Sequence, residues 1–343
     1  MLGHAQRQTR SLPNLSLNET TDHPPDTRAR PFVTHRLHLI LLAIVLCVAG
    51  ADAVWVRVGH FDVDAPAYGL IALLALACAA GGIFYERIRK DERLAAMLFG
   101  TSFLLAMSAS FSVLNYLLLT VAGPRIDLQL AAVDRAMGVD WPAMIAFVAN
   151  YPVTNAVLQL VYVSVLPQIA LLLIAIGLIG KPQRIYALSL SVACGAALSI
   201  AVWTAAPSFG AFSVYDLPQS ISGHVALALD GHYAKQLVAL LAHGPGHISP
   251  SDAKGLIGFP SYHAALALIV VWYARELPVI RWIVAGLNAV VLIATPIQGG
   301  HHVIDVVAGA GVAALAVLFA NAVIRLAGRT RGAVVLGPQP ATR

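Results

Sequence analysis

The chain consists mainly of long apolar runs separated by short polar segments. Eight runs approach the roughly 20 residues that an α-helix needs to cross a bilayer. They cover residues 37–56, 66–85, 94–121, 153–180, 185–206, 261–275, 279–297 and 303–325. The runs are apolar on every side, without the polar face that a helix on a soluble protein would carry. The pattern therefore predicts an all-α polytopic membrane protein with about eight transmembrane helices in one bundle.

Composition and the placement of charge agree with a membrane protein. Hydrophobic residues make up 58% of the 343 residues and charged residues 11%, whereas a soluble domain carries about 25% charged residues. A net charge of +5 would fit a nucleic-acid partner if the cations formed a patch. They stand instead in short clusters at the ends of apolar runs, which is typical of membrane orientation signals. We therefore expect no nucleic-acid partner.

The distribution of lysine and arginine predicts which side of the membrane each connection faces. With a cytoplasmic N-terminus and alternating spans, 17 of the 22 Lys and Arg residues fall in cytoplasmic segments. The other five are Arg57, Arg125, Arg135, Lys235 and Lys254. This bias follows the positive-inside rule. Because the number of spans is even, both termini are predicted to be cytoplasmic.

The segments that flank the apolar runs differ from them in composition. Residues 1–36 are rich in Ser, Thr, Pro, Asp and Arg and have no hydrophobic periodicity, which predicts a disordered cytoplasmic tail. They contain no short apolar stretch with a small-residue cleavage site, so no signal peptide is predicted. Residues 37–327 are assigned to the transmembrane domain and residues 328–343 to a second cytoplasmic tail.

Two long extracytoplasmic connections are predicted, at residues 122–152 and 207–260. Asp140 followed by Pro142 is typical of a helix start, since Asp caps helices and Pro is tolerated in the first turn. Three helices along the membrane surface are expected, near 126–137, near 141–150 and from Gly231 to Leu241. The connections form either a lid and lipid platform over a site or a solvated connector, and the sequence leaves both interpretations open.

Polar motifs stand at the starts of the sixth and eighth runs. In the first motif, Pro260 and Ser261 precede His263. The first turn of a helix leaves backbone N–H groups available to an anion, and Ser261 adds a hydroxyl donor. In the second motif, Gly299 and Gly300 allow the backbone to approach a ligand closely. We therefore predict an anion site between the two helix starts, with Ser261 and Gly300 among its ligands.

A histidine and an aspartate follow these glycines. His301 and Asp305 are four residues apart and so share one face of a helix. A carboxylate that accepts the proton of one imidazole nitrogen leaves the other nitrogen free to act as a nucleophile or base. His302 points about 100° away from His301, as a neighbour of this pair. Ionisable residues at membrane depth are functional-site hypotheses by default, so His263, His301 and Asp305 form the predicted catalytic centre.

Together, the motifs Pro260-Ser261-x-His263 and Gly-x-His301-x-x-x-Asp305 resemble the last two motifs of the type-2 phosphatidic acid phosphatase superfamily. The resemblance covers residues 255–312. The sequence from Gly255 to His263, together with Thr295, is most similar to the branch that contains the inositol phosphorylceramide synthases, which are inositolphosphotransferases. The resemblance implies that His301 attacks phosphorus, that Asp305 orients His301 and that His263 protonates the leaving group. It also implies a catalytic half of phosphatidic acid phosphatase type, with no metal and no cofactor.

The chain departs from the common phosphatases of this superfamily in its cations. It has no Lys-x6-Arg-Pro motif, and Ala294-Thr295 stands where those enzymes carry Ser-Arg. Charge that develops on a phosphoryl group in a site of low dielectric still needs compensation. Lys254 is our first candidate for this role, Arg125 or Arg135 the second, and His302 a further tentative phosphate ligand.

These observations predict a lipid-phosphate phosphatase or phosphotransferase that works through a phosphohistidine at the extracytoplasmic face. Transfer of a polar phospho-headgroup is slightly favoured over hydrolysis. The partners would be a membrane lipid phosphate and a possible hydroxyl acceptor. Two alternatives stay open. One is a metal-dependent membrane hydrolase with His263, His301, His302 and Asp305 as ligands, and the other a transporter that uses His and Asp as an ion relay.

Overall fold

The computed structural model describes residues 30–329, except for residues 223–224, 230 and 252–254. Lys254 and nearly all of the two predicted tails therefore lie outside the described residues. The first helix begins at Arg30, so residues 30–36, which were predicted as tail, are helical. Pro31 explains this early start, since proline is well accommodated in the first turn of a helix and no later residue of the segment breaks it.

Thirteen α-helices make up most of the described chain. Their bounds are α1 Arg30–Gly59, α2 Ala65–Phe84, α3 Glu92–Leu118, α4 Asp127–Ala136, α5 Trp141–Ala149, α6 Pro152–Val163, α7 Val165–Leu178, α8 Pro182–Ala205, α9 Gln219–Ser222, α10 Gly231–His243, α11 Tyr262–Ala274, α12 Arg281–Gln298 and α13 Val303–Arg329. A π-helical turn, Tyr85–Arg89, extends α2. Two short strands, β1 Asp62–Val63 and β2 His247–Ile248, pair in parallel.

Within the described residues, six helices are long and apolar enough to cross a membrane, or seven segments if the bent pair α5 and α6 is one span. The six are α1, α2 with its extension, α3, α8, α12 and α13. The predicted fourth span is divided into α6 and α7 at Ser164, and the sixth is the 13-residue α11. Pro167 accounts for the division, because it has no N–H to donate to the carbonyl of Val163. The predicted fold class, an all-α polytopic membrane protein, is confirmed.

The connections between helices gather at two ends of the bundle. At one end, which also holds the starts of α11 and α13 and is called the site end below, β1 follows α1 and pairs with β2. The α1–α2 turn is thereby joined to the long connection after α8. At the opposite end, Lys181 before α8 donates to Glu276 after α11, with 2.7 Å between Nζ and Oε2. Arg184 adds a second ion pair to Glu276. These contacts bring connections that are distant in sequence to the same end of the bundle.

The core surrounds α8, which packs against α3, α11 and α13. Its small residues allow neighbouring helices to approach closely, as is common in membrane bundles. Gly195 faces the ring of Tyr262, where an added Cβ would lie 3.4 Å from the ring edge. The Tyr262 hydroxyl donates to the carbonyl of Val192 at 2.9 Å. The start of α11, which carries His263, is thereby fixed on the central helix.

Helices are present at the three positions predicted for surface helices, as α4, α5 and α10, and their location at the membrane surface stays a prediction. The Asp140 side chain caps α5 by accepting the N–H of Ala143 at 3.0 Å, as the Asp140 and Pro142 pattern predicts. The pairing of β1 with β2 was not predicted, because two residues per strand leave no alternation of apolar and polar positions to detect.

Candidate active site

The starts of α11 and α13 meet at the site end of the bundle. Ser261 caps α11, with its hydroxyl accepting the N–H of Ala264. The N–H of Ser261 donates to the carbonyl of Asp305 in α13 at 3.0 Å. Gly309 makes this approach possible, since an added Cβ would lie 2.4 Å from the Ser261 carbonyl oxygen. The two predicted motifs are therefore adjacent in the fold.

The imidazole of His301 is oriented through its Nδ1 atom. Nδ1 lies 2.9 Å from the carbonyl oxygen of Gly258 and 3.3 Å from Oδ2 of Asp305. A backbone carbonyl can only accept a hydrogen bond, so Nδ1 carries the proton and Nε2 carries the lone pair. Nε2 lies 3.3 Å from the Ser261 hydroxyl. His301 therefore presents an unprotonated nitrogen, as a nucleophile requires.

Asp305 is fully buried behind His301. Its Oδ2 atom also accepts the N–H of His302 at 2.8 Å, and its Oδ1 atom has no hydrogen-bond partner among the described residues. A carboxylate in this position favours the positive charge that develops on the imidazole during attack. The structure thus brings His301 and Asp305 together as predicted, and it adds the Gly258 carbonyl as a second and nearer acceptor.

His263 is oriented by Tyr162 on a different helix. Its Nε2 atom lies 2.7 Å from the Tyr162 carbonyl oxygen, and its ring stacks on that of Tyr162 with 4.0 Å between centroids. Nε2 therefore donates to the carbonyl, and Nδ1 is the nitrogen that can exchange a proton with a ligand. Tyr162 stands in the last turn of α6, where carbonyls lose their intrahelical partners. The division of the fourth span at Ser164 thus supplies an acceptor to the site.

His263 and His301 line one cavity of about 330 Å³. Its walls come from α3, α7, α8, α10 and α11 and from the segments 209–212 and 255–258, and most of the lining side chains are apolar or aromatic. Among the described residues that line the cavity, none is Lys, Arg, Asp or Glu. The site therefore combines two imidazoles with a large apolar chamber, which suits a ligand with a hydrocarbon part.

The other predicted phosphate ligands occupy different positions. Ser261 contacts His301, as predicted. Gly300 has φ +62°, and an added Cβ would lie 2.3 Å from the Phe212 ring, so glycine is required there for packing. Its carbonyl accepts the N–H of Ala211, and Gly300 does not line the cavity. His302 is fully buried, 3.6 Å from Asp134 and away from the cavity.

The start of α13 differs from the expectation that it offers free N–H groups to an anion. Asp134 accepts the N–H groups of Val303 at 2.8 Å and Ile304 at 3.0 Å, and Asp305 accepts that of His302. These carboxylates occupy the donors that an anion would use. The start of α11 keeps the N–H groups of Tyr262 and His263, which have no intrahelical acceptor because they stand in the first turn.

The described residues contain no group of three His, Cys, Asp or Glu side chains arranged to hold a metal ion. Comparison with known families gives a match to the model of the PAP2 superfamily over residues 128–319. This range covers more than half of the chain and contains both histidine motifs.

The chain belongs to the PAP2 superfamily. No curated protein and no solved structure gave a match. Membership confirms the predicted superfamily and supports a membrane lipid phosphatase or phosphotransferase kind of function. The closer resemblance to the inositol phosphorylceramide synthase branch stays a prediction.

In this PAP2 superfamily protein, Asp127 on α4 organises the wall that faces His301. One of its oxygens accepts the Ser208 hydroxyl and the N–H groups of Phe209 and Gly210, at 2.7 to 3.1 Å. The other oxygen forms an ion pair with Arg125 at 2.7 Å. Gly210 in turn packs on the Gly300 carbonyl, 2.2 Å from where a Cβ would stand. Asp127 therefore fixes the backbone against which the second motif rests.

Sequence reasoning missed both Asp127 and Asp134. They are seven residues apart, which places them on the same face of α4, two turns from each other. Both are buried, and this spacing of acidic residues in a predicted surface helix was the available signal. The nearby arginines do not line the cavity. Arg125 pairs with Asp127, and Arg135 donates to the Tyr215 hydroxyl at 3.1 Å.

A second missed feature is an amide pair that fastens the long connection over the cavity. The Gln298 side chain donates to Oδ1 of Asn155 at 2.6 Å and accepts the N–H of Ala228 at 3.0 Å. The Gln298 carbonyl accepts the N–H of Leu229 at 3.0 Å, and Leu229 lines the cavity. Of the two interpretations that the sequence left open for this connection, these contacts favour a cover over the site.

Proposed function

We propose that this PAP2 superfamily protein moves a phosphoryl or phospho-headgroup from a membrane lipid phosphate through a phosphohistidine at His301. The acceptor is water or a hydroxyl compound, and we favour transfer to a hydroxyl. The observation that carries the proposal is the arrangement of His301. Its Nδ1 atom is hydrogen-bonded to the Gly258 carbonyl and to Asp305, which leaves Nε2 as a lone pair in a cavity shared with His263.

In the first step, Nε2 of His301 attacks phosphorus, and the bond between phosphorus and the leaving oxygen breaks. His263 enters this step as an imidazolium, with its Nε2–H on the Tyr162 carbonyl. The leaving alkoxide takes the second ring proton, from Nδ1, because an unprotonated alkoxide is a poor leaving group. The Tyr162 carbonyl holds the other nitrogen of His263 and so aims the proton donor. Asp305 compensates the charge on the His301 ring, whose proton stays on Nδ1.

In the second step, His263 takes the proton of the acceptor while the acceptor oxygen attacks phosphorus. The bond between phosphorus and nitrogen breaks, and its electron pair returns to Nε2 of His301. Water as acceptor yields phosphate, and a hydroxyl compound yields a new phosphate ester. Both imidazoles finish in their starting states, so the cycle needs no external cofactor.

The phosphoryl oxygens need donors in both steps. The Ser261 hydroxyl, 3.3 Å from Nε2 of His301, and the free N–H groups of the first turn of α11 are suitably placed. We assign to Lys254 the compensation of the negative phosphoryl charge that these donors leave. The residue that follows it, Gly255, lines the cavity.

The substrate class and the orientation rest on further arguments. The apolar lining of the cavity favours a donor with a hydrocarbon chain. The excess of lysine and arginine in the connections at the opposite end supports a cytoplasmic location for that end and hence an extracytoplasmic site.

The test is incubation of the purified full-length protein with a panel of lipid phosphates, with and without alcohols, followed by mass spectrometry of the products and of the protein. We expect released phosphate or a transferred ester, activity that survives EDTA, and a phosphorylated His301 after rapid acid-free quenching. His301→Ala should abolish product and protein labelling. The exposed His232 on α10 is the control, since His232→Ala should retain both. Full turnover by His301→Ala would refute the phosphohistidine.

A further inference from the structure

One wall of the cavity carries a row of polar side chains that the proposed chemistry does not use. Ser108, Ser112 and Asn115 stand on α3 at spacings of four and three residues, so they share one face of the helix. All three line the cavity. Polar side chains inside a membrane span are costly and tend to mark the path of a substrate.

Asn115 has the strongest requirement for a ligand. Its residue is 9% exposed, and its Oδ1 atom has no hydrogen-bond partner among the described residues. Buried polar atoms in native proteins are nearly always paired, and an exception needs an explanation. Oδ1 itself is buried, but the Asn115 residue lines the cavity, and rotation of its amide would let a bound molecule supply the missing donor.

The chemistry of this wall selects the type of molecule. An unpaired carboxamide oxygen needs a donor, and an ionised phosphate offers only acceptors, whereas an alcohol offers an O–H. Ser112 already interacts with the Tyr68 hydroxyl at 3.2 Å between oxygens, and it can still form further hydrogen bonds, since a hydroxyl can donate one and accept two. No described Lys, Arg, Asp or Glu lines the cavity. The wall therefore suits a neutral compound with hydroxyl groups.

The cavity also has an opening toward the side of the bundle. Ser108 on α3 is exposed, and Leu166 at the start of α7 is 66% exposed, although both line the cavity. These residues place the opening between the candidate span α3 and the shorter apolar helix α7. An alcohol with a hydrocarbon tail could pass through it from the bilayer while its hydroxyl end moves along Ser108 and Ser112 toward Asn115.

We infer that Ser108, Ser112 and Asn115 form the binding site for the neutral, hydroxyl-bearing acceptor of the phosphoryl group. The inference rests on the proposed function, because the acceptor completes the second step. The acceptor O–H donates to Oδ1 of Asn115 on binding and turns to His263 in the reaction, where it gives up its proton as its oxygen bonds to phosphorus and the bond to Nε2 of His301 breaks. The hydroxyl chemistry is common to lipid alcohols and to soluble polyols.

The experiment measures the ratio of transfer to hydrolysis. Purified protein receives dioleoyl phosphatidic acid as donor, with either dioctanoylglycerol or glycerol as acceptor, and mass spectrometry quantifies the transferred ester and inorganic phosphate. Asn115→Leu keeps the volume of the side chain and removes its polar atoms, and Ser112→Ala is the second variant. We expect both to lower the ratio, Asn115→Leu by about tenfold, as for the loss of one hydrogen bond at a buried polar group. Ser110→Ala, a buried serine of α3 outside the cavity lining, should leave it unchanged.

The two acceptors identify the source of the hydroxyl. A change confined to dioctanoylglycerol assigns the site to lipid alcohols, and one confined to glycerol assigns it to soluble polyols. An unchanged ratio in both variants, or an equal fall of transfer and hydrolysis, would overturn the inference while the phosphohistidine stands. Failure of the wild-type protein to form a phosphohistidine would instead refute the proposed function on which the inference rests.

Discussion

At the residue scale, the two histidines that we propose as catalytic are oriented in the same way. Each uses one ring nitrogen to donate to a backbone carbonyl, Gly258 for His301 and Tyr162 for His263. The other nitrogen of each ring is thereby left for chemistry. A backbone carbonyl only accepts hydrogen bonds, so it determines which nitrogen of each ring is used for orientation. Asp305 places a negative charge beside the His301 ring, whose orientation the Gly258 carbonyl already favours.

The role of His263 predicts a dependence on the leaving group. His263→Ala should slow the cleavage of alkyl phosphates by roughly two to four powers of ten, the usual contribution of a general acid. It should slow the cleavage of nitrophenyl phosphate far less, because nitrophenolate leaves without a proton. The measurement is turnover on both esters, with His232→Ala as the control. Equal losses on both esters would show that His263 is not the proton donor.

Lys254 carries the prediction about phosphate charge. Lys254→Ala should lower turnover by about one to three powers of ten, the range for a single preorganised donor, and Lys254→Arg should restore part of it. Lys235 is the matched control, since it is exposed, lines a different pocket together with Asp216 and His243, and does not line the cavity of His263 and His301. Full activity in Lys254→Ala with a clear loss in Arg125→Ala or Arg135→Ala would move the role to the connection before α5.

At the scale of elements, α4 acts as a brace for the catalytic helix α13. Asp134 accepts two N–H groups at the start of α13, immediately after His301 and His302. Asp134→Asn removes the charge that complements this helix start. We expect this substitution to lower both turnover and the unfolding temperature in detergent. Turnover should fall by about tenfold or more, because the start of α13 and with it the position of His301 would shift.

The control for this prediction is Asp140→Asn, which alters the cap of α5, a helix that carries no catalytic residue. It should lower the unfolding temperature slightly and leave turnover unchanged. A loss of turnover in Asp140→Asn equal to that in Asp134→Asn would mean that general instability, and not the position of α13, explains both results.

Which features could be predicted depends on how far apart in the sequence the interacting residues stand. Helices, the Asp140 cap and the pairing of His301 with Asp305 depend on residues at most four positions apart, and the sequence pattern predicts them. The contacts of Gly258 with His301 and of Asp134 with α13 join residues 43 and 169 positions apart. No local pattern encodes such contacts. The division at Ser164 was visible in Pro167, but the apolar run around it was interpreted as one continuous span.

At the scale of the whole molecule, the family match begins at residue 128, but residues before that position also line the cavity. α3 supplies the wall with Ser112 and Asn115, and β1 is paired with the connection that covers the site. α3 is therefore part of the chamber, and the turn after α1 is joined to its cover. Specificity for the acceptor is expected to reside in this part of the chain.

The two ends of the bundle allow a direct test of orientation. In a variant without Cys47, Cys78 and Cys194, a cysteine at Ser251 should react with an impermeant maleimide in intact cells. A cysteine at Gln183, which is exposed at the opposite end, should react only after the membrane is opened. The reverse pattern would place the site on the cytoplasmic side and contradict the charge distribution.

The pairing of β1 with β2 also bears on when, during synthesis of the chain, the fold can be completed. The hydrogen bond between the Asp62 carboxylate and the His247 ring beside these strands joins residues 185 positions apart. At a synthesis rate of about 5 to 20 residues per second, β1 waits roughly 10 to 40 s for its partner. His263 and His301 emerge later still. The newly made chain therefore completes its catalytic chamber only when its last helices enter the membrane, and an unfinished chain holds no working site.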